Sequence, residues 1–155
     1  MTETPEERLK ALGIELPTPS APAANYVPTV IAGGMLYVSG QLPMGPSGLA
    51  FTGRLGDGVD VATGQEAARL CAINLLAQAR AALGSLDRIA QLVKLTGFVA
   101  GTPDFTEPHK VINGASDLMV DALGDRGRHA RAAVVAAQLP LGASVEVEAI
   151  FAIAE

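Results

Sequence analysis

Residues 61–100 read VATGQEAARLCAINLLAQARAALGSLDRIAQLVKLTGFVA, and they decide the fold. Over residues 61–83 the apolar side chains recur at the spacing of one helix face, which predicts an amphipathic helix that ends at Gly84. The apolar face consists of Ala68, Ala72, Leu75, Leu76, Ala79 and Leu83, and the other face carries Glu66, Arg69 and Arg80. Residues 89–100 predict a long strand, with its turn at residues 101–104. A long helix followed by a long strand therefore forms the centre of the chain.

The segment before this centre predicts a β-hairpin and a loop. Residues 29–32 and 35–39 are β-branched or apolar runs, and Gly33-Gly34 between them suits a tight hairpin turn. The stretch 40–58 is rich in glycine and proline, which predicts a loop with a short strand near residues 49–52.

The amino terminus predicts a short helix and an extended arm. The stretch Thr4 to Glu7 has a capping-box pattern with proline at the first helical position, so we expect a helix over residues 5–12. Four prolines from Pro17 to Pro28 hold the next segment extended. We therefore expect residues 1–25 to form a helix and a proline-rich arm, and residues 26–155 to form a single domain.

The segment after this centre completes an α+β pattern. Residues 107–123 predict a second long helix, and residues 129–138 and 144–154 predict two strands. Alternating strands and helices favour a mixed β-sheet with the two main helices packed on one face, in addition to the short N-terminal helix.

Composition and charge exclude several classes of protein. A chain of 155 residues is long enough to bury its own core as one domain. The formal net charge of −5 gives no general attraction for phosphate backbones, so we expect no nucleic-acid partner. The sequence has no basic leader followed by an apolar segment, and no apolar run approaches the ~20 residues of a membrane span. We therefore expect a cytoplasmic protein with no membrane partner.

The common catalytic and metal motifs are missing from the sequence. It contains no dinucleotide-binding glycine pattern, no phosphate loop, no zinc-protease pair of histidines and no serine-hydrolase elbow. His109 and His129 have no cysteine or carboxylate at metal-ligand spacing, so we expect no metal site. Cys71, at the margin of an apolar helix face, is expected to be structural rather than reactive.

Arg131 is the side chain that points to chemistry. It lies in an apolar, strand-like run, and because a guanidinium stays charged at working pH, its burial requires an anionic partner. One alternative is a cross-strand salt bridge to Glu146 or Glu148, which share a face of the last strand. The other alternative is that Arg131 binds a substrate carboxylate through two parallel hydrogen bonds while a glutamate handles a proton. The residue types leave both alternatives open.

Several short motifs occur in an order that resembles a known family. They are Tyr26, Ser39-Gly40-Gln41-Leu42-Pro43, Ala130-Arg131-Ala132-Ala133-Val134, Leu139-Pro140 and Val145-Glu146-Val147-Glu148-Ala149-Ile150. Over about residues 20–154 this order resembles the Rid family of RidA or YjgF-type reactive imine deaminases, formerly called L-PSP endoribonucleases. The resemblance implies a chorismate-mutase-like α+β fold, assembled as a homotrimer with pockets at the subunit interfaces.

The resemblance also implies an activity and a set of site residues. Characterised members hydrolyse 2-imino acids such as 2-aminoacrylate and 2-iminobutyrate to 2-oxo acids and ammonia, with no metal or organic cofactor. By position, Arg131 matches the arginine that binds the substrate carboxylate, and Glu146 matches the catalytic glutamate of the pocket. The matched substrate-binding positions are Tyr26, which enters a neighbour's pocket in the family, together with Ser39, Gly40, Asn113 and Ala133.

These residues suit the chemistry of imine hydrolysis, which needs a carboxylate anchor, a directed water and a proton for the departing ammonia. Partial desolvation in an interface pocket would raise the pKa of Glu146 and fit it for acid–base work or for orienting the water. Ala133 departs from the family pattern, which has cysteine there. The N-terminal helix and extra residues around 104–109 place the chain in a longer subgroup.

Other functions fit the sequence less well or differently. The main alternative is a non-catalytic module that binds a small carboxylate metabolite or a protein partner through the same pocket. Chorismate mutase activity would need more cationic groups than Arg131 alone to hold a dicarboxylate. An endoribonuclease would need a basic surface and aromatic stacking residues, which an acidic chain with two tyrosines and four phenylalanines offers poorly.

Overall fold

The computed structural model describes residues 2–19 and 24–155, which contain three α-helices and one main sheet. The helices are α1 (Pro5–Ala11), α2 (Val61–Leu83) and α3 (Pro108–Leu123). The strands are β1 (Thr29–Ala32), β2 (Met35–Gln41), β3 (Met44–Gly45), β4 (Gly48–Leu49), β5 (Arg54–Leu55), β6 (Gly58–Val59), β7 (Ile89–Ala100), β8 (Ala130–Ala136) and β9 (Val145–Ile153). No helix among the described residues is long and apolar enough to cross a membrane.

Local sequence signals explain where these elements begin and end. The Asp60 carboxylate accepts a hydrogen bond from the backbone N–H of Thr63 at 2.8 Å, which caps α2. The predicted capping box of α1 is present, with Thr4 and Glu7 bonded to each other's backbone N–H groups. Gly33-Gly34 joins β1 to β2 with φ angles of +59° and +75°, the left-handed pair that a tight hairpin turn requires.

The main sheet has five strands in the order β1-β2-β9-β7-β8. β7 and β8 are parallel, because α3 carries the chain back between them, and the other neighbours are antiparallel. Helices α2 and α3 pack together and cover one face of this sheet. This arrangement confirms the predicted α+β fold with its mixed sheet and its two main helices on one face.

The two faces of the sheet differ in burial. The face toward α2 and α3 carries fully buried side chains such as Leu95 and Val99 of β7 and Val147 and Phe151 of β9. Their neighbours along each strand point the other way. We call this second side the open face, and its members include Tyr37, Thr96, Phe98, Val134, Glu146 and Glu148.

The segment between β2 and α2 differs from its prediction. In place of one short strand near residues 49–52 it contains two small pairs of strands, β3 with β4 and β5 with β6. Their pairing is only two residues long, and so short a run leaves almost no periodic signal in a sequence. Part of the predicted proline-rich arm, residues 20–23, lies outside the described ranges.

Candidate functional site

Arg131 points from β8 toward helix α3. Its partner in β7 is Leu95, which belongs to the helix-covered face of the sheet. Nη1 of Arg131 donates to Asn113 Oδ1 at 2.8 Å and to Ser116 Oγ at 3.2 Å, and Nη2 donates to the carbonyl oxygen of His109 at 3.2 Å. Three residues of α3 therefore hold the guanidinium in place.

The three oxygens that accept hydrogen bonds from Arg131 are all neutral. No carboxylate in the described part of the chain forms an ion pair with this guanidinium. A guanidinium has five N–H donors, and three of those of Arg131 are used by the oxygens just named. Among the described residues, no atom accepts a hydrogen bond from the other two donors of Arg131. A half-buried cation that keeps donors available can bind an anion.

Ser116 is itself held from behind by His129. The hydroxyl of Ser116 lies 2.8 Å from His129 Nε2, and the other ring nitrogen, Nδ1, lies 2.6 Å from the carbonyl oxygen of Gly127. Both side chains are partly buried. Arg131, Ser116 and His129 thus form one continuous chain of hydrogen bonds that ends on the backbone.

Glu146 lies on the open face near the start of β9. Its side chain is half-buried, and this desolvation raises the pKa of Glu146 above its ordinary value of 4.5. Repulsion from the Glu148 carboxylate, on the same face, raises the pKa of Glu146 further. The environment therefore keeps the Glu146 carboxyl group protonated to a higher pH than that of an ordinary glutamate.

The backbone at Gly40 leaves room for the Glu146 carboxyl group. The pairing of β2 with β9 is irregular between Val38 and Gln41, so Ser39 and Gly40 form a bulge beside Glu146. A β-carbon at position 40 would lie 2.9 Å from Glu146 Cδ, closer than real side chains approach. Only glycine therefore lets the carboxyl group lie against the strand.

Hydrogen bonds fix the bulge and the segment that leads into it. Ser39 Oγ donates to the carbonyl oxygen of Val27 at 2.9 Å, next to the half-exposed Tyr26. On the other side of the bulge, the buried Asn74 of α2 donates from Nδ2 to the carbonyl oxygens of Leu42 and Met44, at 3.0 and 3.1 Å. Ser39, Gly40 and Glu146 are thus held together by β2, β9 and α2.

Arg131 and Glu146 lie on opposite faces of the sheet. Arg131 pairs with Leu95 of β7 and Glu146 pairs with Phe98 of the same strand, and an odd separation of three residues in a regular strand reverses the face. The cross-strand salt bridge to Glu146 or Glu148 is therefore wrong. β7 lies between β8 and β9, and the glutamates point away from the guanidinium.

The residues predicted from the sequence thus separate into two half-sites. Arg131 and Ala133 lie on the helix-covered face of the sheet, with Asn113 opposite them on α3, and we call these three the arginine half-site. Ser39, Gly40 and Glu146 gather at the bulge, and Tyr26 precedes Val27, whose carbonyl oxygen accepts from Ser39; we call these four the glutamate half-site.

Sequence reasoning missed two side chains that support the arginine half-site. Ser116 lies three residues after Asn113, a spacing that places both on one face of α3, and this signal could have found it. His129 lies just before β8, and no local pattern relates it to Ser116. The carbonyl oxygen of His109 was missed as well, because sequence patterns do not show backbone acceptors.

Cys71 takes no part in this site. It is fully buried in α2, where desolvation first and the nearby Glu146 charge second raise the pKa of its thiol well above 9.0. The thiolate is therefore scarce. Over residues 2–19 and 24–155, no group of three or more histidine, cysteine or acidic side chains is arranged to hold a metal ion.

Sequence comparison connects this chain to one family over almost its whole length. The family model described as "YjgF/chorismate mutase-like, putative endoribonuclease" matches residues 6–153. Protein TCP17 of Trypanosoma cruzi is 53% identical over 143 residues, which cover 92% of this chain and 89% of that protein.

Solved structures agree with this result. The protein Atu1372 of Agrobacterium tumefaciens is 57% identical, with a TM-score of 0.90 over 96% of this chain and 92% of that chain. RidA from an Antarctic Psychrobacter is 28% identical, with a TM-score of 0.62 over 88% of this chain and 94% of that chain. The fold is therefore shared with RidA, and the agreement with Atu1372 is much closer.

Proposed function

The chain belongs to the Rid family of YjgF/chorismate-mutase-like proteins, and from this premise we propose that it is a deaminase that hydrolyses 2-imino acids to 2-oxo acids and ammonia. One observation carries the proposal. Arg131 is a half-buried cation that no carboxylate neutralises within the described part of the chain. A substrate carboxylate supplies the missing charge.

The hydrogen bonds of Arg131 support its role as the carboxylate anchor. Neutral oxygens of α3 use three of the five donors, so two N–H groups remain. A carboxylate that binds an arginine through two parallel hydrogen bonds needs two donors. The anchor is also fixed before substrate arrives, which lowers the entropy lost on binding.

The glutamate half-site supplies the acid–base group, and we place it in a neighbouring copy of the chain. Within one copy the sheet separates Glu146 from Arg131, so one chain does not bring both to the same substrate. The open face carries exposed apolar side chains, namely Val30, Tyr37 and Val134, which a second copy would cover. A homotrimer would form three equivalent pockets between copies, each with one arginine half-site and one glutamate half-site.

The chemistry in such a pocket is a proton shuttle by Glu146. In the addition step, the water oxygen bonds to the imine carbon while the carboxylate takes a proton from the water and delivers it to the nitrogen. In the elimination step, the carboxylate, regenerated by the addition step, takes the hydroxyl proton and delivers it to the amine. The C–N bond then breaks, and ammonia and the 2-oxo acid leave. A raised pKa suits a group that accepts and returns a proton in this way. Ala133 contributes no thiol, so the scheme uses none.

The test is the loss of 2-iminobutyrate that is generated enzymatically in the presence of this protein. We expect wild-type protein to accelerate its hydrolysis over buffer and Arg131→Ala to lower kcat/KM by about 100-fold. Arg69→Ala, an exposed arginine of α2, is the matched control and should behave as wild type. If wild-type protein gives no acceleration over buffer, the deaminase proposal is wrong.

A binding module is the second candidate, because the arginine half-site forms within a single copy without any acid–base group. Such a protein would bind a 2-oxo acid such as 2-oxobutanoate and lose this binding in Arg131→Ala, with no turnover of the imine. Binding and turnover measured on the same sample separate the two functions.

A further inference from the structure

The hydrogen-bond chain behind Arg131 has a fixed direction. The carbonyl oxygen of Gly127 only accepts, so the His129 nitrogen beside it, Nδ1 at 2.6 Å, carries a proton and donates. In a neutral imidazole the other nitrogen, Nε2, is then an acceptor, and it receives the hydroxyl proton of Ser116 at 2.8 Å.

This direction decides what Ser116 presents to Arg131. Because the hydroxyl proton points at His129, the lone pairs of Ser116 Oγ are available to the guanidinium, which donates to it from Nη1 at 3.2 Å. Nη1 therefore has an acceptor for each of its two protons, Ser116 Oγ and Asn113 Oδ1. With Nη1 held at both sides, rotation of the guanidinium about its long side chain is opposed, and the open donors keep one direction.

Neither Ser116 nor His129 touches the side of the guanidinium that the proposed substrate would use. Ser116 bonds Nη1 alone and His129 bonds Ser116 rather than Arg131, so neither takes Nε or the second N–H group of Nη2. No carboxylate of the described residues pairs with His129, so its ring contributes direction rather than ion-pair energy.

We propose that Ser116 and His129 are positioning residues that aim Arg131 and so give the site its preference for a carboxylate over a neutral group. This inference rests on the proposed function for the identity of the ligand. Asn113 and the carbonyl oxygen of His109 hold the rest of the guanidinium, but they leave one Nη1 proton without an acceptor if Ser116 is removed.

The first test measures the affinity of the full-length protein for 2-oxobutanoate and for its neutral amide. We expect Ser116→Ala to weaken 2-oxobutanoate binding about tenfold and amide binding hardly at all, with kcat for the imine changed far less than KM. Ser116→Thr keeps the hydroxyl and should recover most of the affinity. Ser47→Ala, an exposed serine between β3 and β4, is the control.

A double-mutant cycle tests whether His129 acts through Ser116. We expect the single variant His129→Ala to weaken 2-oxobutanoate binding and His129→Gln to recover part of the affinity. In Ser116→Ala protein, His129→Ala should weaken binding no further. If the losses of affinity add in the double variant, His129 does not act through Ser116, because the effects of two independent residues add. Equal losses for the acid and the amide would reduce both residues to a structural role.

Nitrogen NMR of the unliganded protein tests the chain without any ligand. The His129 ring should show a protonated Nδ1 and an unprotonated Nε2, and the Arg131 guanidinium should rotate slowly in wild type and faster in Ser116→Ala. A proton on Nε2 alone, or unchanged rotation, would overturn the proposal. If these signals are as expected but wild-type protein binds no 2-oxobutanoate, the proposed function fails and the positioning of Arg131 stands.

Discussion

The carboxyl group of Glu146 lies in the space that a side chain at Gly40 would occupy, with Glu146 Cδ 2.9 Å from the position of the missing β-carbon. Two residues that are 106 positions apart in the chain thus depend on each other sterically. The φ angle of Gly40 is not in the left-handed region, so glycine is needed here for space alone.

Substitution of Gly40 by alanine should therefore displace Glu146 with little backbone strain. We expect Gly40→Ala to lower kcat for 2-iminobutyrate by about tenfold or more, because the acid–base group moves, while 2-oxobutanoate binding changes far less. The control is Gly45→Ala in β3, where the added β-carbon would make only ordinary contacts. Gly48→Ala is unsuitable, because φ at Gly48 is +107° and alanine would be strained there. A normal kcat in Gly40→Ala would contradict the role of Glu146.

Substitution of Asn113 by aspartate should give Arg131 an internal counter-ion. Asn113 Oδ1 already accepts from Nη1 at 2.8 Å, so the substitution places a carboxylate there with little change in shape. We expect Asn113→Asp to raise the melting temperature slightly and to weaken 2-oxobutanoate binding by about tenfold or more, because the guanidinium is already neutralised. Calorimetry measures both quantities. Tighter binding in Asn113→Asp would mean that Arg131 is not the anchor.

The raised pKa of Glu146 predicts the acid side of the pH profile. As the proton acceptor in the addition step, Glu146 must be ionised, so kcat/KM should fall at acid pH with a midpoint above the ordinary 4.5. Glu148→Gln removes the nearby negative charge, which lowers the pKa of Glu146 and moves this midpoint to lower pH. Glu66→Gln, on the polar face of α2, should leave the midpoint unchanged. If the midpoint moved to higher pH in Glu148→Gln, the Glu148 charge would not be what raises the pKa of Glu146.

A charge on the open face should prevent assembly. Val134 is 45% exposed in a single copy, and we expect the wild-type mass by light scattering to be three times the 15.8 kDa of one chain. Val134→Asp places a carboxylate on this apolar face and should give smaller species that have lost activity. An exposed apolar residue in the turn between β8 and β9, Leu141, provides the control as Leu141→Asp. A single-chain mass for the wild type would contradict the trimer.

Local signals predicted the three helices and the strands of the main sheet, and they could not predict which strands are neighbours. The α2 period, the Gly33-Gly34 turn and the Thr4 cap are short-range features, and the structure has all of them. The placement of β7 between β8 and β9 results from packing across the whole chain, which a pattern within one strand does not record.

The sequence likewise predicted individual residues of the site but not how distant residues support them. Arg131 was identified because a cation in an apolar strand is unusual, and its neighbour on α3, Asn113, was identified through the family resemblance. Ser116 and His129 support Arg131 only because the fold places α3 beside the segment before β8. Neither residue is unusual where it stands in the sequence.

The separation of Arg131 and Glu146 by the sheet has a genetic consequence. If each pocket takes its arginine from one copy and its glutamate from the next, two dead alleles, Arg131→Ala and Glu146→Gln, should complement each other. A trimer that contains both kinds of chain always has one junction where both native residues meet, so equal co-expression restores about a quarter of the pockets. A mixture that stays inactive would place both residues in one chain's own pocket, against the geometry of the strands.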